Sequence, residues 1–242
     1  MGWKSSIIVI SNSKTADEKQ TLKVLGFSGI EEISSKTFEE VLNPEDNEVY
    51  IGTYKNHLII CNQELPIHFY EDDLSKVEIS FINNFPNTEI ATFILNSGVN
   101  LWGFSILKGY KKLRVKSGSS ADGTIVDFGK EIEEEKALLS FSKKQKEDTR
   151  KFRFENDEEE YTEDQVGENL IFNVSRRYFG VGIDENEELL ETKFNGYKYS
   201  VFKLNRALEK NKKWYKNENL IIYLIGAIIL IYNILKITIF KK

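Results

Sequence analysis

Residues 220–240 read LIIYLIGAIILIYNILKITIF, an apolar run of 21 residues. At about 1.5 Å rise per residue a helix of this length covers roughly 30 Å, the thickness of a bilayer's hydrocarbon core. Ile221, Leu224, Ile228 and Ile231 share one helical face, while Ile222, Ile225, Ile229 and Leu235 cover the opposite one. A helix that is apolar all round belongs in lipid or in the depth of a core. The polar exceptions are Asn233 and Lys236, and the latter's stem can reach back to the headgroups from about one turn inside the end. The sequence therefore predicts a C-terminal transmembrane helix over 220–240.

A basic stalk over 206–219 precedes it. Arg206, Lys210, Lys212, Lys213 and Lys216 stand there against Glu209 and Glu218. The membrane-interface candidates are Lys212, Lys213, Trp214, Tyr215 and Lys216, cations and amphipathic rings suited to anionic headgroups. At the other end the longest apolar run is Ile7-Ile8-Val9-Ile10, too short for a signal-peptide core. Both features predict a single-pass, tail-anchored protein of the inner (plasma) membrane with its N-terminal domain, residues 1–205, in the cytoplasm. The start MGWKSS places Gly2 and Ser6 as a myristoylation signal would, but bulky Trp3 beside the glycine argues against it.

The net charge of −5 hides an asymmetry. Residues 192–242 hold eleven Lys/Arg and two Glu; the preceding 191 residues carry −14. Nineteen of the 38 acids fall between Glu131 and Glu191. An acidic body above a basic stalk predicts a membrane partner and a basic protein partner, and argues against nucleic acid. A single Cys excludes a disulfide framework and a Cys-based zinc site.

Along the body, Ser5–Ser11 reads as a buried strand, and Thr15-Ala16-Asp17-Glu18 as a capping box for a helix through Leu25, stopped by Gly26. Thr37-Phe38-Glu39-Glu40 opens a short helix before Pro44. Glu48–Tyr54 and His57–Cys61 pair around Lys55-Asn56. Asp72 and Asp73 are placed to cap a helix with the stripe Leu74, Val77, Phe81, Phe85. Glu89–Leu95, Leu101–Leu107, Lys112–Lys116 and Thr124–Phe128 follow as a meander. Ile132–Phe141 reads as a helix and 142–156 as a charged, mobile connection, so the character changes near 131–160 in a way that allows a subdivision there. Thr162-Glu163-Asp164-Gln165 caps a helix ended by Gly180, and Tyr197–Leu204 reads as a last strand. The fold class expected is α+β: a mixed, largely antiparallel sheet with flanking helices.

The chemistry-bearing residues are sparse. His57 and Cys61 lie on one strand face, but four residues along a strand is about 13 Å, too far for proton transfer. Cys61 is read as a small core residue. Asp157, Glu158, Glu159 and Glu160 form an acidic interaction candidate without the ligand spacing of a calcium loop. Lys112, Arg114 and Lys116 are expected on one strand face, with Lys108 and Lys111 close by in the hairpin, as candidates for binding an anion or an acidic partner. A solvated face pairing with local carboxylates is the plainer reading of the same residues. No metal site, cofactor site or catalytic set is expected.

The opening MGWKSSIIVISNS, the segment LWGFSILKGYKKLRV and the stretch DQVGENLIFNVSRRYFG together resemble an uncharacterised bacterial domain family of unknown function, over about residues 1–185. The resemblance implies an α+β fold and supplies no catalytic residues. The function expected is therefore a tail-anchored, non-enzymatic protein-interaction module of immunity or stress type, docking a basic partner on 131–191. The rival is a membrane-associated enzyme acting on a small phosphorylated or lipid-derived substrate. In it Lys112, Arg114 and Lys116 would hold phosphate, with Asp122 or Asp127 as base. A pocket uniting those cations with a buried carboxylate would favour the rival.

Overall fold

The computed structural model describes residues 2–144, 150–154 and 159–203. Met1–Leu204 cluster as one unit. The expected stalk and the apolar segment 220–240 lie outside the described residues; among those described, no helix is long and apolar enough to cross a membrane.

Strand β1 (Lys4–Ile10) is buried over its last six residues, as a strand covered on both faces must be. Helix α1 (Glu18–Leu25) is capped by Asp17, which accepts from the Gln20 amide at 2.8 Å, and closed by Gly26 at φ +113°. Thr15, the expected cap, instead accepts the Asp17 amide at 3.2 Å. Then come β2 (Phe27–Ser28), β3 (Glu31–Thr37) and α2 (Phe38–Val41), the last opened by the expected Thr37/Glu40 capping box. Strands β4 (Glu48–Tyr54) and β5 (His57–Cys61) turn through Lys55 at φ +51°. Helix α3 (Lys76–Asn84) is capped by Ser75 with Glu78 reaching back, rather than by Asp72 or Asp73.

The meander is β6 (Glu89–Asn96), β7 (Leu101–Lys108), β8 (Lys111–Ser119) and β9 (Gly123–Gly129). After it come α4 (Glu133–Leu139), β10 (Ser142–Lys144), β11 (Arg150–Phe152), β12 (Tyr161–Thr162), α5 (Glu163–Phe179), α6 (Glu187–Leu190), β13 (Lys193–Lys198) and β14 (Val201–Phe202). Two expectations change here. Part of the 142–156 connection folds as β10 and β11, which join β12 in a three-stranded sheet. The last strand divides: β13 enters the main sheet, and β14 pairs with β2 beneath the Phe27–Phe202 ring contact at 5.0 Å.

The main sheet has nine strands in the order β3-β13-β4-β5-β1-β6-β7-β8-β9, and every ladder in it is antiparallel, which with the helices gives the expected α+β class. Period-two alternation sorts its side chains. Ile7, Val9, Ile59, Phe93, Phe104 and Ile106 share one core with Val166, Leu170 and Val174 of α5. Ile8, Ile10, Leu58, Ile60, Ile90 and Leu107 share the other with α1 and α3. Each such side chain contributes about 1.5–3 kcal/mol by leaving water, so helices cover both faces. Where α5 crosses β7 the approach needs glycine: a Cβ on Gly167 would lie 2.0 Å from Trp102 Cδ1.

Candidate functional site

The five candidate cations do not form one patch. In β8, Arg114 stands opposite Ile106 and Lys112 opposite Leu107, leaving Leu113 as an extra residue in a β-bulge. The bulge breaks the alternation, so Lys112 and Arg114 point to opposite faces of the sheet. Lys112 runs into the α3 layer, where its Nζ is 3.0 Å from Glu78 Oε1 and donates to the carbonyls of Phe69 and Glu71. Both side chains are buried. Burial pushes the Glu78 carboxyl upward, against the Ser75 amide and Lys112, which pull it down.

Arg114 and Lys116 face α4 and α5. The Arg114 Nε and Nη2 each donate at 2.7 Å to the two oxygens of Glu135, and Nη1 donates to Asp127 and to the Phe128 carbonyl. Glu135 also takes the Ile132 amide at 3.1 Å, so one carboxylate caps α4 and clamps the guanidinium. Burial alone would make the Arg114 guanidinium easier to deprotonate; its bonds to Glu135 and Asp127 outweigh that and raise it. Lys116 Nζ sits 2.6 Å from Glu163, the first residue of α5, and within 4 Å of both Asp127 and Glu135. Two cations thus meet three carboxylates, and the cluster carries one surplus negative charge.

The cavity beside Lys116, Glu135 and Glu163 is about 10 Å³, which is room for one water and not for a substrate. Arg114, Lys112 and Lys116 are 1 %, 7 % and 3 % exposed. These three are internal counter-ions, and the open face expected for them is not there. Lys108 and Lys111 stay in solvent at the hairpin, flanking Gly109 and Tyr110. Asp122 caps its own turn through Ser119 at 2.9 Å and is not part of the cluster, whereas Asp127 is.

Other expectations are placed as follows. Trp102, Phe104 and Ile106 are buried core, and so is Cys61, whose thiol burial pushes well above its usual range. Glu159 and Glu160 are exposed; Asp157 and Glu158 lie outside the described residues, as do Lys212, Lys213, Trp214, Tyr215 and Lys216. Among the described residues no group of three or more His, Cys, Asp or Glu is placed to hold a metal ion.

A second site was not foreseen in the sequence. A cleft of about 310 Å³ opens on the outer side of α5, between the end of α4, the chain after β11 and the 3-10 turn Ile183–Glu185. One wall is aromatic: Phe141 and Phe154 meet at 5.5 Å, held together where the Arg153 amide donates to the Phe141 carbonyl at 2.9 Å. The opposite wall is the outward stripe Asn169, Asn173 and Arg176 of α5. Asp184 and Glu185 close one end on a turn pinned by the Ile183 amide to Ser175 Oγ at 3.1 Å. Arg176 Nη2 donates to both Glu185 oxygens at 3.1 Å, while Asp184 has no salt bridge among the described residues. Burial, with Glu185 next to it, pushes the Asp184 carboxyl up. The sequence signal for this cleft was the amide-and-cation stripe at i, i+4 and i+7 on α5. Its other wall fell in a stretch read as a connection.

A family of unknown function, DUF6928, matches residues 8–185, and the chain belongs to that family. The match spans the cleft-forming elements but stops before β13, which the structure seats inside the main sheet between β3 and β4. No curated protein and no solved structure matches the chain.

Proposed function

We propose that this family member is a membrane-anchored binding module. Its 220–240 segment is held in a bilayer, and its folded body lies on the cytoplasmic side of the inner membrane, where it docks a basic protein partner through the acidic surface of 131–191. The observation that carries the docking half is the fate of the charges. Of the five candidate cations, Lys112, Arg114 and Lys116 are paired with carboxylates inside the fold, which leaves Lys108 and Lys111 in solvent. The exposed part of 131–191 keeps Glu131, Glu133, Glu159, Glu160, Asp184, Glu185, Glu187 and others in solvent. Such a surface attracts a basic partner and speeds its encounter. The anchoring half is supported by the length and all-round apolarity of 220–240 and by the cations before it, which favour the cytoplasmic side.

The test is fractionation of cells expressing the full chain or a chain ending at residue 205. The full chain is expected in the membrane pellet, resistant to carbonate and released by detergent, and the shortened chain in the supernatant. A full chain washed off by carbonate, or a shortened chain still in the pellet, overturns the anchor. In parallel, capture of a basic protein probe such as lysozyme by the full chain in micelles should fall steeply from 50 to 300 mM salt; no capture at low salt overturns the docking surface.

A further inference from the structure

The cleft on α5 has features that a solvated acidic face does not need. Its aromatic wall is built rather than incidental: Phe154 touches Phe141 at 5.5 Å on one side and Tyr161 at 5.9 Å on the other. Its floor includes Phe172, which is 9 % exposed and braced by Trp3 in an edge-to-face contact at 5.4 Å. Facing this wall, the Asn169 and Asn173 amides have no hydrogen-bond partner among the described residues. At the closed end two carboxylates stand against one guanidinium, and that guanidinium is already taken by Glu185. The volume, about 310 Å³, is at the lower end of pockets that enclose a ligand group.

An occupant must therefore be cationic at one end, flat or apolar along its body, and rich in donors for amide and carboxylate oxygens. A guanidinium meets all three conditions: it stacks on aromatic faces, offers five donors in a plane, and is weakly hydrated enough to enter a half-closed site. An ammonium supplies the charge but cannot stack flat on the Phe141/Phe154 wall. We propose that the cleft receives an arginine side chain of the basic partner protein. The guanidinium lies between Phe154 and the α5 amides and bonds to Asp184. This deepens the docking reading given above and rests on it.

The experiment uses the full chain in detergent micelles and a fluorescein-labelled decapeptide with three Arg-Leu repeats, read by anisotropy. Two comparisons locate the contact: the same peptide with citrulline for arginine, and the Asp184→Asn/Glu185→Gln variant, whose changed groups are solvent-exposed and outside the core. Each is expected to weaken binding at least tenfold. Glu159→Gln/Glu160→Gln, which removes as much charge away from the cleft, should weaken it less than threefold. If the cleft variant binds as wild type while the Glu159/Glu160 variant loses affinity, the arginine docks elsewhere. That outcome overturns the cleft and leaves the acidic docking surface standing. If no protein binds the arginine peptide, both readings fall. If free L-argininamide competes with the same affinity as the peptide, the cleft is a small-molecule pocket and the protein partner is the wrong occupant.

Discussion

Replacing Arg114 by Met tests whether the cations of β8 are structural. In the folded chain Arg114 makes two 2.7 Å charge-assisted bonds to Glu135, whose side chain is 1 % exposed, and one further bond to Asp127, whose side chain is 52 % exposed. On losing the guanidinium Asp127 can turn to water, but Glu135 cannot. Removing one member of a buried pair costs about 3–5 kcal/mol, because the other charge is left without a partner. Here the Ile132 amide at 3.1 Å and Lys116 at 3.9 Å stay with Glu135, which places the loss near the lower end, about 3 kcal/mol. For a folded unit of this size that corresponds to a fall of roughly 6–12 °C in Tm. Arg114→Met/Glu135→Leu removes both charges and should return to within about 1 kcal/mol of wild type. Urea unfolding of the full chain in micelles, followed by tryptophan fluorescence, measures both losses. A single variant costing under about 1 kcal/mol, or a double variant no more stable than the single, refutes the counter-ion argument.

Two further outcomes follow from packing and titration. Gly167→Ala drives a methyl to 2.0 Å from the Trp102 ring, so α5 must shift on β7; a loss of at least about 1–3 kcal/mol with an altered near-ultraviolet signal of Trp102 is expected, and an unchanged stability would contradict the close approach. His57 packs edge-on against Tyr178 and Phe179 at 6.1 and 6.4 Å. Burial first, and Lys55 second, hold its pKa below the usual value, partly offset by a bond to the Tyr178 carbonyl. The unfolded chain takes up this proton below about pH 6.5 and the folded chain resists it, so stability contributed by neutral His57 is lost as pH falls through that value. In a comparison of Tm between pH 7.5 and 5, the wild type should fall more than His57→Phe, and parallel curves would show that His57 plays no part.

Where sequence and structure agree, the signal is local and chemical. The Lys55-Asn56 turn, the Thr37/Glu40 capping box and the Gly26 and Gly180 stops each depend on a few adjacent residues, and each is found where the residues put it. The helix caps that moved, to Asp17 and Ser75, did so among neighbouring residues of the same chemistry, where several side chains can serve one amide. What stayed hidden is long-range. β3 (Glu31–Thr37) is mostly exposed and carries no alternating pattern, and it becomes a strand because β13, over 150 residues later, pairs with it. Half of the cleft was hidden for the same reason: β10 and β11 are three-residue strands that exist by pairing with each other and with β12.

The bulge at Leu113 shows how a single irregularity redirects an electrostatic reading. With strict alternation, Lys112, Arg114 and Lys116 would share a face, and three cations on one side of an edge-proximal hairpin would look like an anion site. One extra residue sends Lys112 to Glu78 in the α3 layer and leaves Arg114 and Lys116 to Asp127, Glu135 and Glu163 on the other side. Each set is a buried charge matched in place, which is the arrangement in which charges below the surface are tolerated. The consequence reaches the exterior. Because these cations are used inside, they cannot neutralise the acids of 131–191 that remain in solvent, and the charge of this surface stays negative at neutral pH. The acidic face and the lack of an open cationic face on β8 therefore have one structural cause. Under the proposed docking a partner brings its own positive charge, and the cleft on α5 is a place on this face where that charge meets aromatic rings and the Asn169 and Asn173 amides.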